Sequence, residues 1–327
     1  MSTTSLPIAK AITAGLRDAM RADDKVMVMG EDVGVLGGVF RVTDGLHREF
    51  GGERVVDTPL AEAGIVGTAV GLCFRGYRPV VEIQFDGFVF PAYNQITTQV
   101  AKMHYRTGGR VNLPMVIRIP HGGGIGAVEH HSESPEALFA HTAGLRILAP
   151  ATAQDAYWMT RQAIECEDPV ILLEPKRRYW LKGDVDTENR PALDPWTAQI
   201  RRPGTDATLL AWGPSVPLAL EAAQAAEADG IDLEVIDARS LAPIDYPTLA
   251  ESVQRTGRLV IVHEAPVDGG LGGEIAARIT EECFYHLEAP VIRVGGYHTP
   301  YPPARVEHAY LPDLDRVLDG VDRALAH

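Results

Sequence analysis

Positive charge is in short supply in this chain. Its 327 residues carry 30 Lys and Arg against 44 Asp and Glu, a formal charge of −14. Such a balance repels nucleic acid and anionic membrane, and neither is expected as a partner. Cysteine is scarce too: Cys73, Cys166 and Cys283 are odd in number, far apart, and form no CxxC pair. That argues against a disulfide framework and for free thiols in a reducing cytoplasm. No stretch reaches the roughly 18 uninterrupted apolar residues a membrane helix needs. The N-terminal "MSTTSLPIAKAITAGLRDAMRADDK" has no apolar centre with basic flanks. The chain reads as soluble, untargeted and cytoplasmic, without internal repeats or low-complexity segments.

What is present points to an α/β protein. The length suits two domains, and a hydrophobic fraction of 46% can build sizeable cores. "KVMVMGE", "RPVVEIQF", "LPMVIRIP", "LRILAP" and "PVILLEP" are apolar over most of their length, as strands buried on both faces of a parallel sheet are. Helical patterns over 60–75, 91–105, 135–141 and 153–166 alternate with them. "KGDVDTENRPALDPWTAQIRRPG" is polar, rich in Pro and Gly, and without a period, so it reads as a linker. Alternation resumes with "ATLLAW", a helix over 217–229, "LEVIDARS", "RLVIVHEA", a helix from Glu274, "APVIRVGG" and a last helix near Leu314. The expected division is a domain at 1–185, a linker at 186–203 and a smaller domain at 204–327.

Two stretches carry chemistry. In "IPHGGGIGAVEHHSESPEA" a hydrophobic run ends in glycines, from which Glu129, His130 and His131 emerge. "GGGIGA" fits a dinucleotide-binding pattern, but the helix should begin inside the motif, and no acidic residue ends the next strand. His121, Glu129, His130 and His131 suggest a metal site, yet neighbouring residues of an extended segment point to opposite faces. A third reading makes one histidine a catalytic acid, base or oxyanion donor on a loop whose glycines admit a ligand, with Ser134 capping the next helix and Pro135 at its first position. A solvated polar loop is the plain alternative. In "DTPLAEAGIVGTAVGL", Glu62 lies in the first turn of an otherwise apolar helix with Gly64, Gly67 and Gly71 along one side. A carboxylate carried into such surroundings is expected to have a raised pKa or a dedicated partner.

"DTPLAEAGIVG", "VEIQFDGFVFPAYNQI", "MHYRTGGR" and "GAVEHHSESPEALFAH", in that order, resemble the β subunit of the thiamine-diphosphate-dependent decarboxylating component of 2-oxo acid dehydrogenase complexes. The likeness continues through "ARSLAPID" and "LEAPVIRVGG", and the motifs sit closer to branched-chain members than to pyruvate or acetoin members. It implies a pyrimidine-binding domain of the thiamine-diphosphate fold, with a parallel sheet, followed by a transketolase C-terminal-like α/β domain. It places the pyrimidine-binding carboxylate on Glu62, which favours the imino tautomer that activates the thiazolium carbon. Leu60, Gln84 and Phe88 match further cofactor-contacting positions, with phenylalanine at 88 where branched-chain relatives often have tyrosine. His131 matches the active-site histidine, while "HSES" replaces the usual "HSQS" and brings Glu133 nearby. Leu113, Met115, Val116, Ala163, Cys166 and Asp168 match a structural potassium site built from carbonyls.

The chain contains no GDG stretch, the motif that holds Mg²⁺ and the diphosphate in this group of folds. The likeness therefore implies half an active site, completed by an α subunit in an α2β2 heterotetramer. It also implies a 2-oxo acid substrate and acyl transfer to the lipoyl group of a dihydrolipoyl acyltransferase core, docked by the acidic second domain. A purely structural assembly subunit is the non-enzymatic alternative.

Overall fold

A computed structural model describes residues 3–327. The apolar runs form a seven-stranded sheet ordered Ser240–Ala242, Arg146–Leu148, Val170–Pro175, Val116–His121, Arg78–Glu82, Val26–Gly30, Val55–Asp57. All neighbours are parallel except the first pair. Burial on both faces explains the unbroken runs of Val, Ile and Leu. The strand Ser240–Ala242 belongs to the second half of the chain, which thus lends an antiparallel edge to the first sheet.

A second sheet is ordered Ile292–Gly296, Leu259–Pro266, Ala207–Ala211, Leu233–Asp237, Gln199–Arg202, with the last strand antiparallel. Gln199–Arg202 lies inside the stretch expected to be linker. An edge strand needs only one apolar face, so its mixed composition hid it. Lys182–Val185, also in the polar stretch, pairs with Thr4–Pro7. The helix Ile8–Ala22 had no counterpart in the sequence reading. It buries Ile8, Ile12, Leu16 and Met20, and a Cβ at Gly15 would stand 2.7 Å from the Tyr157 carbonyl oxygen of the helix Ala153–Glu165.

The two halves share one core. Ile119 and Phe139 of the first pack in a single cluster with Trp212, Ile236 and Leu271 of the second. Arg239 in the second half reaches back, its guanidinium 2.9 Å from Asp155 and donating to the carbonyls of Asp194 and Thr197. No helix of the described residues is long and apolar enough to cross a membrane.

Candidate active site

The strand Val116–His121 runs directly into Gly122 at φ +87°, and Gly124 and Gly126 are left-handed as well. Only glycine adopts these angles without strain. The loop is closed at its base by Gly122 N–H donating to the Glu133 carbonyl at 2.9 Å. Glu133 N–H in turn donates to Asp86 at 2.7 Å, and Asp86 forms a buried ion pair with Lys176. Burial pushes the Asp86 carboxyl up and the Lys176 ammonium down, and their contact opposes both shifts.

The structure corrects the expected anchor. The helix begins at Glu136 with Pro135 at the capping position, and no side chain caps it, so Ser134 does not hold the loop. Nor does the loop have the form of a dinucleotide cradle. The N–H groups of Gly123, Gly124 and Gly126 are already taken by Glu264, Tyr301 and Glu307 of the second domain. His121 is fully buried under the loop, and burial pulls its imidazole down to about 3. Among the described residues no cluster of His, Cys, Asp or Glu is placed to share a metal ion.

His131 stands at the end of the loop in a short 3-10 turn, Glu129–His131. Its ring packs edge-on against Phe85, centroids 4.2 Å apart, and against Phe88 at 5.1 Å. Its Nδ1 is enclosed and has no hydrogen-bond partner. Burial, then His130 and Lys176, lower its pKa against the opposing pull of Glu129, so the neutral imidazole is favoured. Burial, then Asp86 and Glu129, push the Glu133 carboxyl up, and His130 opposes them. His130 is exposed and tilted against His131, centroids 4.4 Å apart.

Glu62 opens the helix Glu62–Phe74 and is buried, with 6% of its surface exposed. Among the described residues no group hydrogen-bonds its carboxylate. Beside it lies Glu31, also buried, whose carboxyl is pushed up by burial first and by Glu62, Asp32 and Glu82 after that. Gln84 donates to Asp32 at 3.3 Å. Leu60 is 78% exposed. Gln84, Phe85 and Phe88 thus join the histidine to the acidic group, but no hydrogen bond or ion pair links Glu62 to His131. A cavity of about 210 Å³ behind the loop, bounded by Ser132, Pro135, Glu264 and Tyr301, is smaller than the roughly 300–1,000 Å³ usual for ligand pockets. None of Leu60, Glu62, Gln84, Phe88 and His131 lines that cavity.

Comparison with known proteins decides what this half-site belongs to. Residues 4–180 match the transketolase pyrimidine-binding domain family, and residues 197–317 match the transketolase C-terminal domain family. The pyruvate dehydrogenase E1 component subunit beta of Leifsonia xyli is 64% identical over 99% of this chain and 96% of that protein. The chain belongs to the β-subunit family of 2-oxo acid dehydrogenases. The 3-methyl-2-oxobutanoate dehydrogenase subunit beta of Mycobacterium tuberculosis is 55% identical over 99% of this chain and 93% of its own length. Among solved structures, a split-gene transketolase described as an inactive beta4 tetramer is 26% identical, covers 98% of both chains, and superposes with a TM-score of 0.79. A thiamine-diphosphate-dependent family is thereby established, and the two-domain fold with it.

In this family member, the six positions carried over for potassium lie where the strand Val116–His121 starts and the helix Ala153–Glu165 ends, and five of them already make hydrogen bonds: Leu113, Met115, Ala163, Cys166 and Asp168. Leu113 O accepts from Met115, Met115 O from Val170, and Ala163 O from Cys166. Arg78 donates to the Ile164 and Cys166 carbonyls at 3.0 and 3.3 Å, and Arg146 pairs with Asp168 at 2.8 Å. Arg78 thus shares the helix end with the carbonyls matched to the ion, each of which carries a second lone pair.

The residues that seat the loop do not stand out in the sequence. Glu264, Tyr301 and Glu307 lie more than a hundred positions away with no local signature. The buried Arg118, donating to Glu82 at 2.6 Å and to Glu174 at 2.6 and 2.9 Å, did have one. An arginine amid "VIRIP" and glutamates inside "VVEIQF" and "ILLEP" are charges within runs otherwise buried.

Proposed function

We propose that this chain is the pyrimidine-holding, histidine-bearing half of a branched-chain 2-oxo acid dehydrogenase active site. One observation carries the reading. Glu62 is buried in the first turn of an apolar helix, yet has no hydrogen-bonding partner among the described residues. Its carboxylate oxygens are not sealed from solvent, so a ligand can reach them and complete the pairing. The aminopyrimidine of thiamine diphosphate fits, since its ring nitrogen can share a proton with the acid. Leu60, Gln84 and Phe88 would line the ring. When bound, the cofactor supplies a nucleophilic carbon and an electron sink for loss of carbon dioxide.

This chain's own part is to hold and move protons and to exclude water. His131, its pKa lowered by burial and then by His130 and Lys176, offers a nitrogen that takes or returns a proton during acyl transfer to the lipoyl group. Phe85 and Phe88 fix its ring plane. Mg²⁺ and the diphosphate fall to an α subunit in an α2β2 heterotetramer, because this chain has no GDG stretch. The glycine face of the Glu62 helix supports a partner chain: a Cβ at Gly71 would meet nothing, and one at Gly64 only Ala61 at 3.6 Å. The inactivity of the similar split-gene transketolase tetramer is in keeping with this. The same reading makes the complex cytoplasmic and docks it to a dihydrolipoyl acyltransferase core.

The 64% identical relative named for pyruvate favours a second reading, with the same chemistry on a shorter side chain. Assembled with its α subunit, the enzyme should turn over 3-methyl-2-oxobutanoate with a higher kcat/KM than pyruvate, and the reverse ratio would establish the second reading. Glu62→Gln should assemble normally and lose about 10²–10⁴-fold in activity. Full activity in that variant would make this chain an assembly subunit.

A further inference from the structure

We infer that Glu307, with Tyr301 and Glu264, is a clamp by which the second domain fixes the His131 loop in its working geometry. The proposal rests on the reading of His131 given above. Left-handed glycines alternating with ordinary residues turn successive N–H groups toward one side, a concave arrangement that attracts anions. Here the anion is the chain's own. Gly126 N–H donates to Glu307 Oε1 at 3.0 Å, and Gly124 N–H to Oε2 at 3.2 Å. Tyr301 O–H donates to the same Oε2 at 2.9 Å and accepts from Gly124 N–H at 3.1 Å. Gly123 N–H donates to Glu264 at 3.1 Å, and Glu264 is held by Arg177 at 2.7 Å.

The seat also explains the glycines. A Cβ on Gly123 would lie 2.6 Å from Tyr301 Cζ, one on Gly122 2.6 Å from Glu264 Oε2, and one on Gly124 2.8 Å from Arg177 Cδ. From the sequence alone, an approaching ligand is the expected reason for the missing side chains. The groups that approach are a tyrosine, a carboxylate and an arginine of the same molecule.

The clamp reaches the histidine through a short span. Only Ala127, Val128, Glu129 and His130 separate Gly126 from His131, whose N–H donates to Val128 O at 3.0 Å. On the opposite flank the His130 backbone packs against Gly87, where a Cβ would lie 2.7 Å from His130 Cα. The loop is therefore held between Gly87 and the second domain, and the imidazole position follows from both. Glu307 touches no reacting group; it is a positioning residue. Bonds from N–H groups to a carboxylate are charge-assisted and stronger than neutral ones.

Glu307→Gln keeps the shape and one acceptor oxygen but turns an NH2 toward the second N–H group. In the full chain, amide exchange at residues 123–126 should accelerate by about tenfold, with the remaining amides unchanged. In the enzyme assembled with its α subunit, kcat for lipoyl acylation should fall by about tenfold while KM for the 2-oxo acid stays within about twofold. Tyr301→Phe, which removes one hydroxyl, should do the same to a smaller degree and stands in if the first variant folds poorly. Unchanged exchange in both variants overturns the clamp, as does faster exchange with lipoyl acylation untouched. His131→Ala separates the two ideas. Normal acylation in that variant overturns the role of the histidine, whereas crippled acylation there, with unchanged exchange in Glu307→Gln, overturns the clamp alone.

Discussion

Glu62 and Glu136 are both carboxyls buried in the first turn of a helix, and what meets them differs. Glu136 accepts a hydrogen bond from Trp212 Nε1 at 3.3 Å, across the boundary between the two halves of the chain, and burial pushes its carboxyl up to about 7. Glu62 has no such bond. The glycines near each repeat the contrast: Gly123 is roofed by Tyr301, while Gly71 faces open space. One end of the site is closed within the molecule, and the other lies open. An unfilled surface built at a cost to helix stability is informative, because packing within the chain gives no reason for it.

That contrast can be broken by substitution. Gly123→Ala should be the most damaging, lowering stability by about 1–3 kcal/mol as Tyr301 or the loop is forced aside. Denaturant melts of the full chain would show it, and an unchanged midpoint would mean the roof is loose. Next comes Glu136. Its folded-state pKa lies above the ordinary 4.5, so the folded chain binds the proton more tightly. Its contribution to stability is therefore complete below about pH 4.5 and lost as pH rises through about 7. Glu136→Gln keeps an acceptor for Trp212 and should raise Tm at pH 8 by about 2–4 °C, with the gain vanishing near pH 5. A gain equal at both pH values would place the titration elsewhere. The smallest effect should come from Gly71→Ala, which in the isolated chain should stabilise by about 0.5–1 kcal/mol. In the assembled enzyme the same change should weaken association, and a gain that survives assembly would remove the case for a partner on that face.

Strands and their parallel order were legible because burial on both faces leaves no alternation, and "VVEIQF" or "PVILLEP" shows it plainly. Glu62 stood out for a related reason, as the one charge in an apolar helix. Gln199–Arg202 was hidden by its place at an edge, where one face is wet, and Ile8–Ala22 by a mean hydropathy close to neutral despite its apolar stripe. The loop's seat could not have been read at all. Tyr301 and Glu307 sit in a proline-rich tail segment with no period, and only the folded chain brings them to Gly124 and Gly126. The potassium positions, by contrast, are matched through backbone carbonyls, and Arg78 from the neighbouring strand donates to one of them, that of Cys166. Carbonyl ligands leave no trace in side chains, and the guanidinium beside them comes from another part of the sequence.

The borrowed strand Ser240–Ala242 has a consequence for anyone who would dissect this protein. Severed near residue 190, the N-terminal fragment would bare the Arg146–Leu148 backbone as an unguarded ribbon, ready to recruit whatever extended peptide it meets. The pieces should consequently elute together after nicking, and the upstream piece produced by itself should precipitate.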